Sequence, residues 1–465
     1  MANDLWSPTR FDRDLIAKYD RPGPRYTSYP TAPQFTADFG SLDHAGLLDR
    51  SRERGERALS LYVHVPFCTT RCLFCGCNVT ISRDRTWGNR YLPLLAREME
   101  MASALLGGKQ REVVQVHWGG GTPTFLPPED LKELMAFIRR NFRLAEDCEI
   151  GVEIDPRECT PEQLDVLAAA GVNRVSLGVQ DLNPDVQRAV RREQSPEETW
   201  GVLDGVRQRG IASVNMDLIY GLPRQTPESF AATVREVVRM APDRLALFNF
   251  AYLPSMFRHQ GAIDPAELPA PEAKLRMLED ATNILLESGY VFIGMDHFAR
   301  PDDSLARALR ERTLTRNFQG YSTCAETDLI GFGVSSISEV ADGYAQNAKT
   351  MAEYADALMA GRFATARGLA MSADDVLRRR VIMDVMSHFR LDKREVERRF
   401  GIDFDRTFGD ALKALQPMAA DGLVSIGPDV IEVTPMGRFL VRNIAMVFDA
   451  YLAEPSVATR YSRTV

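Results

Sequence analysis

Tyr62-Val63-His64-Val65-Pro66-Phe67-Cys68-Thr69-Thr70-Arg71-Cys72-Leu73-Phe74-Cys75-Gly76-Cys77 sets four of the chain's seven cysteines within one short loop, directly after an apolar run that reads as a strand. Cys68, Cys72 and Cys75 follow a C-x3-C-x2-C spacing. Three thiolates so spaced can curl around one face of an iron–sulfur cubane, whereas ferredoxin runs supply one cysteine for each iron. One iron is then left open. Zinc sites instead show paired C-x2-C units with a second pair or histidines, and Cys148, Cys159 and Cys324 form no such pair. Cys77 has three open readings: a redundant thiol, a catalytic participant or a packing residue.

An open iron in such a cluster can chelate the amino and carboxylate groups of S-adenosylmethionine, pass an electron into the sulfonium and release a 5′-deoxyadenosyl radical. The spacing, with the aromatic Phe74 before the last cysteine, resembles the radical S-adenosylmethionine (SAM) superfamily.

At 465 residues the chain exceeds one ordinary core, which predicts a large catalytic domain plus a smaller one. A net charge of −8 argues against a general nucleic-acid or anionic-membrane surface. No run has the apolar length of a membrane span, and Met1-Ala2-Asn3-Asp4 lacks a basic region followed by an apolar one. A cytoplasmic protein is expected, in a reducing compartment that suits free cysteines.

Outward from the cysteines, short apolar runs alternate with amphipathic stretches. The runs are 59–65, 113–118, 150–154, 174–179, 213–219 and 245–251; the helical segments are 91–105, 130–141, 161–169, 195–208 and 227–240. This repeat implies parallel strands with right-handed crossovers. The fold class expected is α/β, a partial (β/α)6 barrel with an N-terminal arm and a small C-terminal winged-helix-like α+β domain, with 290–295 as a possible peripheral strand. The boundaries expected are 1–58 for an arm covering the active site, 59–300 for the barrel, 301–370 for a substrate-proximal extension and connector, and 371–465 for the C-terminal domain. Residues 371–465 hold 14 Lys plus Arg against 14 Asp plus Glu, so the winged element lacks the basic excess that phosphates require. Packing or a lid is its expected role.

Chemistry in such folds gathers where strands end. After the second run, Gly119-Gly120-Gly121-Thr122-Pro123 removes three successive Cβ atoms and lets backbone approach a ligand. Glu153, Gln180 and Asp217 each sit near a strand's carboxyl end, where their polar groups can converge on ribose hydroxyls or an amine. Arg192 is placed to pair bidentately with a carboxylate. Gly294 to Pro301 and Arg316 to Tyr321 concentrate arginine, aromatic and glycine residues, with His297 more ordinary as a structural histidine; arginines beside aromatics suit a flat polycarboxylated substrate.

These motifs, together with Gly23-Pro24-Arg25-Tyr26-Thr27-Ser28-Tyr29-Pro30-Thr31, Val152 to Pro156 and Arg442 to Asp449, closely resemble the oxygen-independent coproporphyrinogen III oxidase (coproporphyrinogen dehydrogenase) family over nearly the full length. The N-terminal motif and Cys77 carry particular weight, because related haem chaperones generally lack both. The resemblance implies oxidative decarboxylation of the ring A and B propionates of coproporphyrinogen III to vinyl groups, giving protoporphyrinogen IX. It implies a [4Fe-4S] cluster on Cys68, Cys72 and Cys75, and cluster-bound SAM held by Tyr62, Gly120, Glu153 and Ile337. A second SAM would contact Phe74, Gly76, Gly121, Thr122, Gln180, Arg192, Asp217 and Ala251. Cys77 and Tyr62 are the catalytic candidates. Cys324 departs from the family pattern, where glutamine is common. The partners implied are coproporphyrinogen III, a reductant such as flavodoxin or ferredoxin and an unidentified electron acceptor, with no nucleic acid, no membrane span and a monomeric chain. The rival readings are a haem chaperone, a radical methyltransferase that opens haem, and a DNA-binding winged domain.

Overall fold

The computed structural model describes residues 11–55, 57–453 and 461–464; the opening Met1-Ala2-Asn3-Asp4 lies outside them. The chain divides into two compact units, Phe35–Ala270 with Glu326–Ala370, and Met1–Gln34 with Pro271–Ala325 and Met371–Val465. This division differs from the boundaries drawn from sequence. The stretch 301–370 is split at Ala325, because four strands within 328–370 pair in the first unit's sheet. Residues 11–34 and 271–300 group with the C-terminal segment.

In the first unit, β1 (Leu59–Val65), β2 (Glu112–Gly120), β3 (Arg143–Ile154), β4 (Arg174–Gln180), β5 (Ser213–Tyr220) and β6 (Arg244–Asn249) lie side by side in chain order, all parallel. Three of the helices between them begin at a side-chain cap. Thr160, Ser195 and Thr226 each close a capping box with a proline at the next position, which satisfies free amide donors at fixed backbone angles. The strands are buried on both faces, with Leu59, Leu61, Val63 and Val65 of β1 fully inside. The sheet continues past β1 through β7 (Asp328–Phe332), parallel to it, and then through antiparallel β8 (Ile337–Val340), β9 (Gly343–Asn347) and β10 (Thr365–Ala370).

The other unit contains two antiparallel hairpins, Val291–Gly294 with His297–Ala299 and Thr315–Asn317 with Gly320–Ser322. It also holds the helices Ala373–His388, Lys393–Phe400 and Gly409–Ala420, beside a three-stranded antiparallel sheet formed by Arg390–Asp392, Val430–Val433 and Val424–Ile426. Two distant motifs meet here. Arg442 Nε donates to Pro24 O at 2.9 Å and its Nη2 to Gly23 O, while Tyr26 donates to Asp449 Oδ2 at 2.9 Å.

Candidate active site

The cysteine loop leaves the carboxyl end of β1 and is fastened from several sides. Leu73 enters an apolar cluster with Val186, Val190, Leu222, Phe250 and Ile263, and its amide donates to Val190 O at 2.9 Å. His259 Nε2 donates to Cys75 O at 2.7 Å. Gln260 bridges outward to Ala251 O at 3.2 Å and Phe74 O at 3.5 Å, and accepts from the Leu253 amide at 2.6 Å. Phe257 covers Gly76, where a Cβ would lie 3.4 Å from its ring. Phe74, Gly76 and Ala251 therefore share one patch. His259 and Gln260 carried no sequence signal, since the 3-10 helix Arg258–Ala262 that holds them is too short to show a period.

Cys68, Cys72 and Cys75 lie near enough to bear on one another's charge: burial first, then the Cys75 and Cys72 sulfurs, push the Cys68 thiol up to about 12. Cys77 hydrogen-bonds Cys75, which brings the Cys75 thiol down to about 6 and drives its own upward. Among the described residues no three His, Cys, Asp or Glu side chains close on a single metal ion. Cys68, Cys72 and Cys75 leave one loop with C-x3-C-x2-C spacing, thiolate donors of the kind that iron–sulfur clusters take.

At the ends of β1 to β3, Tyr62 donates its hydroxyl to His64 Nδ1 at 3.0 Å, and His64 Nε2 donates to Asn78 O at 3.0 Å. Burial holds the His64 imidazole below its usual range, so the neutral ring serves as this relay. Tyr62 stacks on His117 at 6.1 Å, and His117 Nε2 donates to Glu153 Oε1 at 3.2 Å. Glu153 Oε2 accepts the Gly120 amide at 3.1 Å. Burial opposes the Glu153 charge, yet His117 and the Gly120 amide hold its carboxyl below the usual value. Ile337 joins from the opposite flank: Tyr62 is in register with Gly331, whose missing Cβ would lie 2.6 Å from Ile337 O.

The glycine turn is closely packed. The space its missing side chains free is filled by the protein itself, since a Cβ on Gly119 would meet the Glu153 carboxylate at 2.7 Å. Gly120, at φ +116°, would meet the His64 ring at 2.6 Å. Gly121 donates to Val65 O at 2.8 Å, and Thr122 Oγ1 accepts the Asp155 amide at 3.2 Å.

Beyond β3, Gln180 is held at φ +67° beside a register shift in β4, an unfavourable backbone of the kind found at functional sites. Its amide and Arg192 both close over Gly178, where a Cβ would lie 2.9 and 3.0 Å from them. Arg192 is buried but not bidentate on one carboxylate: Nη1 donates to Asp155 Oδ2 at 2.8 Å, while Nη2 turns to Gly178 O at 2.6 Å. Arg157 holds both oxygens of that carboxylate, Nε on Oδ1 at 3.0 Å and Nη2 on Oδ2 at 2.7 Å. Asp217 hydrogen-bonds Ser176 at 3.0 Å and Asn215 at 2.8 Å. Burial pushes its carboxyl up to about 6, with the Glu153 charge adding to the effect.

In the other unit, Arg25 pairs with Asp296. Arg316 lies 4.8 Å over the Tyr321 ring, and His297 meets that ring edge-on at 5.3 Å. Arg316 Nη1 is buried without a hydrogen-bond partner among the described residues. No helix among the described residues is long and apolar enough to cross a membrane.

Comparison with known proteins supplies family-level findings. Residues 62–237 match the radical SAM superfamily and residues 371–440 match the HemN C-terminal domain. The oxygen-independent coproporphyrinogen III oxidase of Escherichia coli K12 is 48% identical over 455 residues, 98% of each chain. That of Pseudomonas aeruginosa is 48% identical over 459 residues, 98% of this chain and 99% of its own. The solved structure of the E. coli coproporphyrinogen III oxidase HemN, described as a radical SAM enzyme, superposes with a TM-score of 0.90 at 47% identity, covering 95% of this chain and 99% of that one.

Proposed function

We infer the activity from one premise: this chain belongs to the oxygen-independent coproporphyrinogen III oxidase family, within the radical SAM superfamily. It is an oxidoreductase of haem biosynthesis that converts the ring A and B propionates of coproporphyrinogen III to vinyl groups, giving protoporphyrinogen IX. The observation that carries this reading is full-length similarity to enzymes of that name, together with three cysteines grouped at the end of β1.

When bound, the [4Fe-4S] cluster and SAM supply the 5′-deoxyadenosyl radical that takes a hydrogen from the propionate β-carbon. The chain's residues place and shield them. Cys68, Cys72 and Cys75 hold the cluster. Tyr62, Gly120, Glu153 and Ile337 would hold cluster-bound SAM. Phe74, Gly76, Gly121, Thr122, Gln180, Arg192, Asp217 and Ala251 receive a second SAM. Cys77, the last thiol of the cysteine loop, and Tyr62 would act in turnover. The open donor of Arg316 suits a substrate carboxylate. The protein works as a cytoplasmic monomer, reduced by a flavodoxin or ferredoxin and discharging to a separate acceptor.

The test is anaerobic incubation of the cluster-loaded protein with coproporphyrinogen III, SAM, a reductant and cell extract as acceptor, followed by mass spectrometry. Loss of two carboxyl groups from the tetrapyrrole is expected. A methylated tetrapyrrole, or haem carried through unchanged, would move the assignment to one of the rival activities.

A further inference from the structure

Cys72 is the one cluster-loop sulfur met by two guanidinium groups. Arg157 Nη2 lies 3.7 Å from its Sγ and Arg192 Nη1 lies 3.8 Å away, both within reach of N–H···S hydrogen bonds. Neither arginine is free to swing. Asp155 clamps Arg157 through Oδ1 to Nε at 3.0 Å and Oδ2 to Nη2 at 2.7 Å, and the same Oδ2 accepts Arg192 Nη1 at 2.8 Å. Asp155 is itself fixed by its amide bond to Thr122 and by capping the turn Pro156–Glu158, from which Arg157 projects. Two cations and one anion therefore stand against one thiolate, a net charge of +1 in a largely buried setting where side-chain exposures are 17% for Arg157, 7% for Arg192 and 13% for Asp155.

We propose that Arg157, with Arg192 and held by Asp155, raises the reduction potential of the cluster by donating hydrogen bonds and positive charge to the Cys72 sulfur. The potential of an iron–sulfur site rises with hydrogen bonds to its sulfurs and with local positive charge, because reduction adds one negative charge there. The added electron comes from an external one-electron protein reductant, and no bond in the arginine–aspartate clamp is made or broken. Asp155 has the opposite electrostatic sign while keeping both cations in place. Arg157 is thus a positioning and tuning residue rather than a catalytic one. The inference rests on the proposed binding of the cluster through Cys72.

The test is a redox titration of the reconstituted cluster followed by electron paramagnetic resonance, with iron and sulfide content measured separately. Arg157→Met is expected to lower the reduced-to-oxidised ratio at a fixed potential about tenfold, a shift of about 59 mV for one electron. Arg157→Lys should recover most of it. Asp155→Asn should shift the potential the other way, upward, which a general loosening of the loop would not do. Opposite shifts in the two variants support the tuning role; shifts of one sign, or none, overturn it. If Arg157→Met fails to take up iron, the direction of the Asp155→Asn shift decides. A wild-type protein that takes up no cluster would instead overturn the cluster assignment, and this inference with it.

Discussion

Glu153 and Gly120 meet across neighbouring strands, with the carboxylate Oε2 3.1 Å from the backbone amide. This bond ties the end of β3 to the last glycine of β2, and His117 steadies the second carboxylate oxygen at 3.2 Å. One side chain thus fixes the turn and keeps a negative charge at the strand ends.

Replacing Glu153 with alanine removes that charge and leaves the Gly120 amide without its acceptor. Hydrogen bonds to charged groups contribute about 1.5–3 kcal/mol, so SAM affinity is expected to fall roughly tenfold to a hundredfold. Equilibrium binding of SAM to the cluster-loaded variant checks this, and undiminished affinity would remove Glu153 from the site.

Cys72→Ser and Cys77→Ser should separate two roles within one loop. The first is expected to lose cluster absorbance and activity together, because iron needs the thiolate. The second is expected to keep most of its cluster and lose product formation. Full activity in Cys77→Ser would reduce Cys77 to a packing residue.

Glu98 gives a pH dependence of stability. It is 1% exposed, accepts from Tyr354, the Gly333 amide and Asn347, and supports the loop that leads into Ile337. Burial pushes its carboxyl from 4.5 up to about 7 against those hydrogen bonds. The folded chain therefore holds a proton that the unfolded chain has released between these values. The contribution is complete below pH 4.5 and is lost as pH rises through about 7, on the order of 3 kcal/mol in total. Urea unfolding of Glu98→Gln at pH 5 and pH 8 should show a smaller difference than the parent protein; an equal difference would show that Glu98 does not titrate in this range.

Arg442 holds the carbonyls of Gly23, Pro24, Arg463 and Thr464. Lysine keeps the charge but lacks the planar fork, so Arg442→Lys is expected to destabilise by about 2–4 kcal/mol. Faster proteolytic cleavage between residues 20 and 31 in the variant checks it.

The six parallel strands and the helices between them were legible because their apolar runs and amphipathic stretches are local patterns, sharpened by caps at Thr160, Ser195 and Thr226. The β7–β10 extension was not, since its short strands such as Ile337–Val340 carry too few residues to show a period. The cysteine spacing pointed to a cluster, but the guanidinium pair on Cys72 depends on Arg157 and Arg192 meeting across the strand ends, which no local pattern encodes. The room beside the glycine turn was visible as composition; that His64 and Glu153 fill it became visible only with the packing.

The most direct measurement uses coproporphyrinogen III carrying deuterium at the propionate β-carbons, turned over anaerobically by the cluster-loaded protein. Deuterium recovered in 5′-deoxyadenosine, alongside loss of two carboxyl groups from the tetrapyrrole, is the result predicted. Unlabelled 5′-deoxyadenosine with all four propionates intact, in a sample whose cluster is complete and whose acceptor is active, would contradict it.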